Sequence, residues 1–180
     1  MSPSANTSLW ITGLNSNITY TELFQGIRKI GRVRQAFINE PDKRNRNTCA
    51  AKLTFFSREA ALKLLDQAAG KNFVVQGMTP TVVWNRYYIP EEPADGRSRV
   101  LRIRGPIEIV NRPFLETFWS RQFFWGTDRV SDVGEVADGV AVVWYYFASW
   151  RAQAALARIM VLQHFGDRVT VTYERDPCGC

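Results

Sequence analysis

Histidine and cysteine are scarce in this 180-residue sequence, which contains one histidine and three cysteines. A structural zinc site takes four ligands, usually cysteines and histidines, and a single histidine with the terminal pair Cys178 and Cys180 does not predict one. An odd number of cysteines without disulfide-type spacing is typical of a reducing compartment. We therefore predict no metal and no cofactor, and a protein of the nucleus or cytoplasm.

Signatures of catalysis and of membrane insertion are also lacking. The sequence has no phosphate-binding glycine loop, no HExxH and no GxSxG motif. Its one histidine, His164, has no nucleophilic or carboxylate residue at a sequence spacing typical of a catalytic motif. We therefore predict that the chain is not an enzyme. No apolar run reaches the ~18 residues of a membrane-spanning helix, and the first ten residues lack the basic-then-apolar pattern of a secretory signal. We expect no membrane partner.

Apolar residues are abundant instead, and positive charge is concentrated in one half. Hydrophobic residues make up 46% and aromatic residues 13% of the chain, which is enough for packed cores. Residues 1–90 carry 12 Lys and Arg against 5 Asp and Glu, whereas residues 91–180 carry 11 against 12. A basic half favours a polyanionic partner, above all a nucleic acid. The alternative is a basic surface that only keeps the protein soluble.

The two halves repeat each other. The similar segments are SLWITGL (8–14) and RVLRIRGP (99–106), then LTFFSREAALKLL (53–65) and YYFASWRAQAALARI (145–159). Leu9 precedes Ser57 by 48 residues, and Leu101 precedes Ser149 by the same 48. One offset of 92 residues therefore relates the halves, which predicts two copies of one fold.

Each half has the pattern strand, helix, strand, strand, helix, strand. Alternating apolar residues mark the strands, and Thr19 with Glu22 has the spacing of a capping box at the first helix. Ser57 and its counterpart Ser149 are predicted to cap the second helices. We predict an α+β fold of two ferredoxin-like βαββαβ units, each a four-stranded antiparallel sheet with two helices on one face. The predicted boundaries are a first domain at 1–88, a linker at 89–98, a second domain at 99–176 and a tail at 177–180.

These segments resemble the RNA recognition motif (RRM) family. The matching segments are LWITGL (9–14) and TCAAKLTF (48–55) in the first half, and LRIRGP (101–106) and GVAVVWYYFAS (139–149) in the second. The resemblance implies that single-stranded RNA binds on the open face of the sheet. The third-strand motif departs from the family, however, because Ala50 and Lys52 stand where two stacking aromatics are expected.

Alternation indicates which side chains of the first unit face outward. Leu9 and Ile11 point inward, which leaves Trp10 on the open face, and the same reasoning places Phe37 there on the second strand. The RNA-binding residues predicted for this unit are Trp10, Phe37, Lys52, Thr54, Arg32, Arg34, Lys43, Arg44, Arg46 and Arg86. Aromatics would stack on bases and cations would contact phosphates. The alternatives are that the two rings cover a neighbouring segment or the second unit, and that the cations are only solvated.

The second unit departs further from the family. Arg102 stands where the first-strand aromatic is expected, Arg104 shares its face, and both are predicted RNA contacts. The alternative partner of Arg102 is an acid of the second strand, Asp128 or Asp132. The third strand has two alternative registers. One turns Val142, Trp144 and Tyr146 outward, and the other turns Ala141, Val143 and Tyr145 outward.

Two functional hypotheses follow from this reasoning. The first is non-catalytic, weak binding of single-stranded RNA, mainly by the first unit. The second is a degenerate tandem RRM that acts as a protein-interaction scaffold. In that case the second unit would contact a protein partner or another copy of the chain.

Overall fold

The computed structural model describes residues 5–41 and 47–179. Contacts within the chain define two compact units. The first unit holds the described residues up to Asp95 together with residues 176–179, and the second unit holds Gly96–Arg175. The first unit thus includes residues 89–95 of the predicted linker, Asp176 of the predicted second domain and residues 177–179 of the predicted tail. Asp176 and Cys178 hydrogen-bond to its backbone.

Each unit has the predicted order of elements. The first unit consists of β1 Ser8–Asn15, α1 Tyr20–Gly26, β2 Val33–Asn39, β3 Thr48–Phe55, α2 Arg58–Ala69 and β4 Thr81–Trp84. The second consists of β5 Val100–Pro106, α3 Arg112–Ser120, β6 Thr127–Ala137, β7 Val140–Phe147, α4 Ala155–Phe165 and β8 Thr170–Tyr173. A π-helical turn, Trp150–Ala154, leads into α4.

Both sheets have the same topology. The strand orders are β2-β3-β1-β4 and β6-β7-β5-β8, and neighbouring strands are antiparallel in each. The last strand of each unit therefore lies beside the first, and the two helices connect strands within one sheet. The predicted pair of ferredoxin-like βαββαβ units is confirmed.

Hydrogen bonds at the helix starts follow the predicted caps, with one exception. The Glu22 N–H donates to Thr19 Oγ1 (3.3 Å) and the Thr19 N–H donates to Glu22 Oε2 (2.9 Å), so the capping box is complete. The Ser57 hydroxyl oxygen caps α2. The cap predicted at Ser149 is wrong, because its side chain makes no cap bond. The Gln153 side-chain oxygen accepts the Ser149 N–H instead, in the π-helical turn.

Burial in the first unit fixes the two faces of its sheet. Leu9 and Ile11 of β1 are fully buried, as is Leu53 of β3. Their neighbours Trp10 and Lys52 are only half-buried. Because side chains alternate along a strand, the residues between the core positions must lie on the opposite, open face.

The second unit has an aromatic core. Trp119 of α3 packs edge-on against Tyr145, with ring centroids 5.1 Å apart, and lies 5.3 Å from Phe147. All three side chains are fully buried. The Tyr145 hydroxyl donates to Glu116 Oε1 (2.9 Å) and accepts from Trp125 Nε1 (2.8 Å). Burial is the main cause that raises the pKa of Tyr145 to about 12. The nearby Glu116 carboxylate adds to the rise, and the bond from Trp125 opposes it.

We expect Tyr145→Phe to weaken the second unit by about 1–3 kcal/mol at neutral pH, because Glu116 and Trp125 each lose a buried partner. The folded pKa of about 12 lies above the value of about 10 in an unfolded chain. The unfolded form therefore ionises first, and the stabilisation is complete below about pH 10 and falls above it. The loss is about 1.4 kcal/mol near pH 11. Urea unfolding at several pH values measures this. A gap between wild type and variant that does not change with pH would contradict the assignment.

Candidate nucleic-acid interface

Two aromatic rings and a cation form a row across the open face of the first sheet. Trp10 of β1 lies opposite Lys52 of β3, and Lys52 lies opposite Phe37 of β2. Neighbouring strands are about 4.8 Å apart, so the two rings stand on either side of Lys52 with roughly 10 Å between their strands. We call Trp10, Lys52 and Phe37 the platform. Its residues come from three strands whose pairing is fixed by backbone hydrogen bonds.

The platform is the floor of a groove of about 690 Å³. Its lining residues are Trp10, Gln35, Phe37, Asn39, Lys52, Val83, Trp84, Asn85, Arg86 and Tyr87. Phe37 is 53% exposed and Val83 is 48% exposed, whereas Trp10 is half-buried. Among the described residues, the lining includes two cations, Lys52 and Arg86, and no carboxylate. The groove thus combines accessible aromatic surface with positive charge.

Amide side chains flank Phe37 on β2. Gln35 and Asn39 are two residues before and after it, so all three share the open face. An amide offers one acceptor oxygen and two donor hydrogens. Neither amide was among the predicted RNA contacts, although the two-residue spacing from Phe37 already placed both on its face.

The chain beyond β4 shapes one side of the groove. The Asn85 N–H donates to the Ser8 carbonyl (2.9 Å), and Asn85 Oδ1 accepts the Tyr87 N–H (3.0 Å). The Arg86 guanidinium lies 4.9 Å from the centre of the Tyr87 ring and donates to the Tyr87 hydroxyl. Tyr87 is 62% exposed. A cation and an aromatic ring are thereby held together at the rim.

Thr54 does not lie on this open surface. It is fully buried, and its hydroxyl bonds to Ser8 Oγ at 3.2 Å. The strand pairing puts Thr54 opposite Ser8 of β1, which is also fully buried. Thr54 shares the sheet face of Lys52, as predicted, but its burial leaves no surface for a ligand, so it is corrected as an RNA contact.

Two of the predicted cations serve other contacts. The Arg34 guanidinium forms an ion pair with Glu92 and donates to the Pro90 carbonyl. Arg32 lies 5.5 Å from the centre of the Phe56 ring, and it lines a separate groove together with Glu92. Neither arginine lines the platform groove, so both are corrected as contacts to a ligand there. The loop cations Lys43, Arg44 and Arg46 lie outside the described residues.

The second sheet carries aromatics that are already stacked on arginines. Trp144 of β7 lies opposite Arg102 of β5, whose guanidinium is 5.5 Å from the centre of its ring. The Arg129 guanidinium lies 4.2 Å from the centre of the Tyr146 ring. Both rings are half-buried, and Arg104 is exposed. Of the two registers considered, the one that turns Trp144 and Tyr146 outward is confirmed.

The acids proposed as alternative partners of Arg102 bind elsewhere. Asp128 forms an ion pair with Arg99 at 3.1 Å, and both side chains are almost fully buried. The Asp132 carboxylate accepts the Arg112 N–H (2.8 Å) at the start of α3. Arg102 instead contacts the Trp144 ring.

Other classes of site find no support in the described structure. Over residues 5–41 and 47–179, no three His, Cys, Asp or Glu side chains are grouped so that they could hold a metal ion. The same residues contain no helix with the length and apolar character needed to cross a bilayer. Cys178 is fully buried.

Comparison with known proteins identifies the first unit. Residues 9–74 match the family model of the RNA recognition motif. No curated protein sequence matches the chain significantly. Among solved structures, RNA recognition domains 1 and 2 of Sex-lethal from Drosophila melanogaster are similar, with 17% identity and a TM-score of 0.37 over 94% of this chain and 100% of that one. The first two RRM domains of the yeast poly(U)-binding protein Pub1 are similar at 15% identity and a TM-score of 0.38, over 94% and 99%.

The first unit is therefore an RNA recognition motif domain, since the matched residues run from β1 through α2. The second unit has the same strand order, so the chain carries this fold twice. RNA recognition motifs are non-catalytic modules, and the prediction that the chain is not an enzyme agrees with this family.

Proposed function

We propose that this RRM-containing chain binds single-stranded RNA without catalysis, and that the open sheet face of the first unit is the main binding surface. The observation that carries the proposal is the platform, in which two accessible aromatic rings stand on either side of a cation. The basic first half of the sequence supports it, because a polyanion is attracted to positive charge.

The platform suits two consecutive nucleotides. One base stacks on Trp10 and the next on Phe37, and each such stack contributes about 1–3 kcal/mol. Lys52 lies between the rings, where it can contact the phosphate that links the two nucleotides. Two stacks and few phosphate contacts give weak binding, with a dissociation constant on the order of micromolar.

Polar groups around the platform supply further contacts. The amides of Gln35 and Asn39 lie beside Phe37 and can bond base edges or a ribose 2′-hydroxyl, the groups by which single-stranded RNA is read. Arg86, held against Tyr87, is placed to contact a phosphate at the rim of the groove.

The second unit makes a smaller contribution in this proposal. Arg102 and Arg104 add positive charge to its open face, but a guanidinium already lies over each of its outward rings. The loop cations of the first unit, Lys43, Arg44 and Arg46, remain proposed phosphate contacts on their charge alone. We place the protein in the nucleus or cytoplasm, where RNA occurs and where its free cysteines stay reduced.

Trp10→Ala and Phe37→Ala are each expected to weaken RNA binding by about 5- to 150-fold, because a lost stack removes about 1–3 kcal/mol. Fluorescence anisotropy of a labelled, mixed-sequence single-stranded RNA at low salt measures the dissociation constants. Circular dichroism checks that both variants stay folded.

Phe124→Ala is the matched control for the two platform variants. Phe124 is 99% exposed and lies between α3 and β6 of the second unit, outside the strands of both sheets. It should bind RNA as wild type does. Equal losses in all three variants would contradict the platform, and a wild-type protein that binds no RNA would contradict the function itself.

Lys52→Gln tests the proposed phosphate contact. Each phosphate neutralised on a single strand contributes about 0.7 to the slope of log affinity against log salt concentration. We expect the slope of this variant to be shallower by about that amount. Lys63→Gln, which removes an exposed cation from α2 on the helix side, should keep the wild-type slope. Identical slopes for Lys52→Gln and wild type would show that Lys52 contacts no phosphate.

A second candidate function is a protein-interaction scaffold that self-associates. The observation that favours it is the exposure of three apolar side chains on the helix side of the second unit, Phe114 (38%), Leu156 (39%) and Ile159 (46%). Surface helices usually present polar residues to solvent. Light scattering decides this case. A dimer that Ile159→Glu converts to monomer supports self-association, and a monomeric wild type contradicts it.

A further inference from the structure

Residues 176–179 follow the second unit in sequence but belong to the first unit in space. We call this segment the strap. Asp176 is 1% exposed, and Cys178 is fully buried. A carboxylate is rarely buried to this extent unless it is hydrogen-bonded.

Backbone amides of the first unit donate hydrogen bonds to acceptors in the strap. The Val33 N–H donates to Asp176 Oδ2 at 2.8 Å, and the Gly31 N–H donates to the Cys178 carbonyl at 2.8 Å. Within the strap, the Cys178 N–H donates to Asp176 Oδ1 at 3.0 Å. Both carboxylate oxygens of Asp176 are therefore occupied. The amides of Gly31, just before β2, and of Val33, its first residue, have their acceptors in a segment more than 140 residues away in sequence.

The strap meets the first unit where β2 begins. Val33 is the first residue of β2, and the same strand carries Gln35, Phe37 and Asn39 into the platform groove. The pairing of β2 with β3 shifts between Val33 and Gln35. The ladder is irregular at this point, so the Asp176 carboxylate supplies a fixed acceptor for the strand's first amide.

We propose that the strap is a structural part of the first unit and that Asp176 is a positioning residue for its RNA-binding face. Asp176 acts through Val33, by holding the start of the strand that carries Phe37. The positioning role rests on the proposed RNA binding, whereas the structural role does not. The first unit then binds RNA at full strength only when the chain beyond the second unit is present and docked.

Hydrogen exchange and RNA titration of the 180-residue chain with Asp176→Ala test both roles. We expect the Val33 amide to exchange about ten- to a hundredfold faster than in wild type, because a bond to a charged acceptor is lost. We expect RNA affinity to fall severalfold. Core amides of the second unit, such as that of Val143, should exchange at the wild-type rate. Asp167→Ala removes an exposed aspartate near the end of the second unit and should change neither readout.

Each result decides one of the two roles. An unchanged Val33 exchange rate in Asp176→Ala would overturn the structural role, whether or not the wild type binds RNA. Faster exchange with unchanged RNA affinity would overturn the positioning role. If Asp176→Ala unfolds the first unit, the structural role is supported, and Asp176→Asn, which keeps one acceptor oxygen, decides the positioning role by its RNA affinity. A wild type that binds no RNA would contradict the positioning role. The exchange rate of the Val33 amide would then still test the structural role.

Discussion

Antiparallel pairing of β1 with β3 sets Trp10 opposite Lys52 and sets Leu9 opposite Leu53. The pleat then turns the first pair toward solvent and the second into the core, since successive side chains lie on opposite faces. A slip of one residue would bury the lysine and expose the leucines, so the apolar core holds the register. The surface available to a ligand is in this sense a by-product of core packing. The proposed function depends on a strand pairing that hydrophobic burial maintains.

The two units use the same sheet positions differently. An offset of 92 residues relates Trp10 to Arg102 and Lys52 to Trp144. Each pair of central strands thus carries one large aromatic and one cation, with the order exchanged. In the second unit the guanidinium is long enough to lie over the neighbouring ring, at 5.5 Å from its centre, and such a contact stabilises both groups. A base would have to displace or extend that stack. This difference, together with the lower positive charge of the second half, is why the proposal gives the first unit the larger share of RNA binding.

Local and repeated patterns could be predicted from the sequence, whereas long-range contacts could not. The repeat gave the order of elements, and alternation placed Trp10, Phe37 and Lys52 together. The same alternation placed Thr54 on the face of Lys52 but did not indicate that it is buried there, with its hydroxyl bonded to Ser8 Oγ. Alternation also did not predict that Arg34 forms an ion pair with Glu92, 58 residues away. The return of Asp176 to Val33 is the longest of these contacts, and nothing in the composition of the last five residues indicates it.

The most direct test of the platform is the indole N–H signal of Trp10 in a two-dimensional NMR titration with a short single-stranded RNA. A base stacked on this ring moves the signal strongly, and the amides of Phe37 and Lys52 move with it in the same fast-exchange titration. The amide signals of residues in the separate groove, such as Phe56 and Ser57, do not shift. Shifts confined to that groove or to the second unit, with the Trp10 indole unmoved at saturation, would contradict the account.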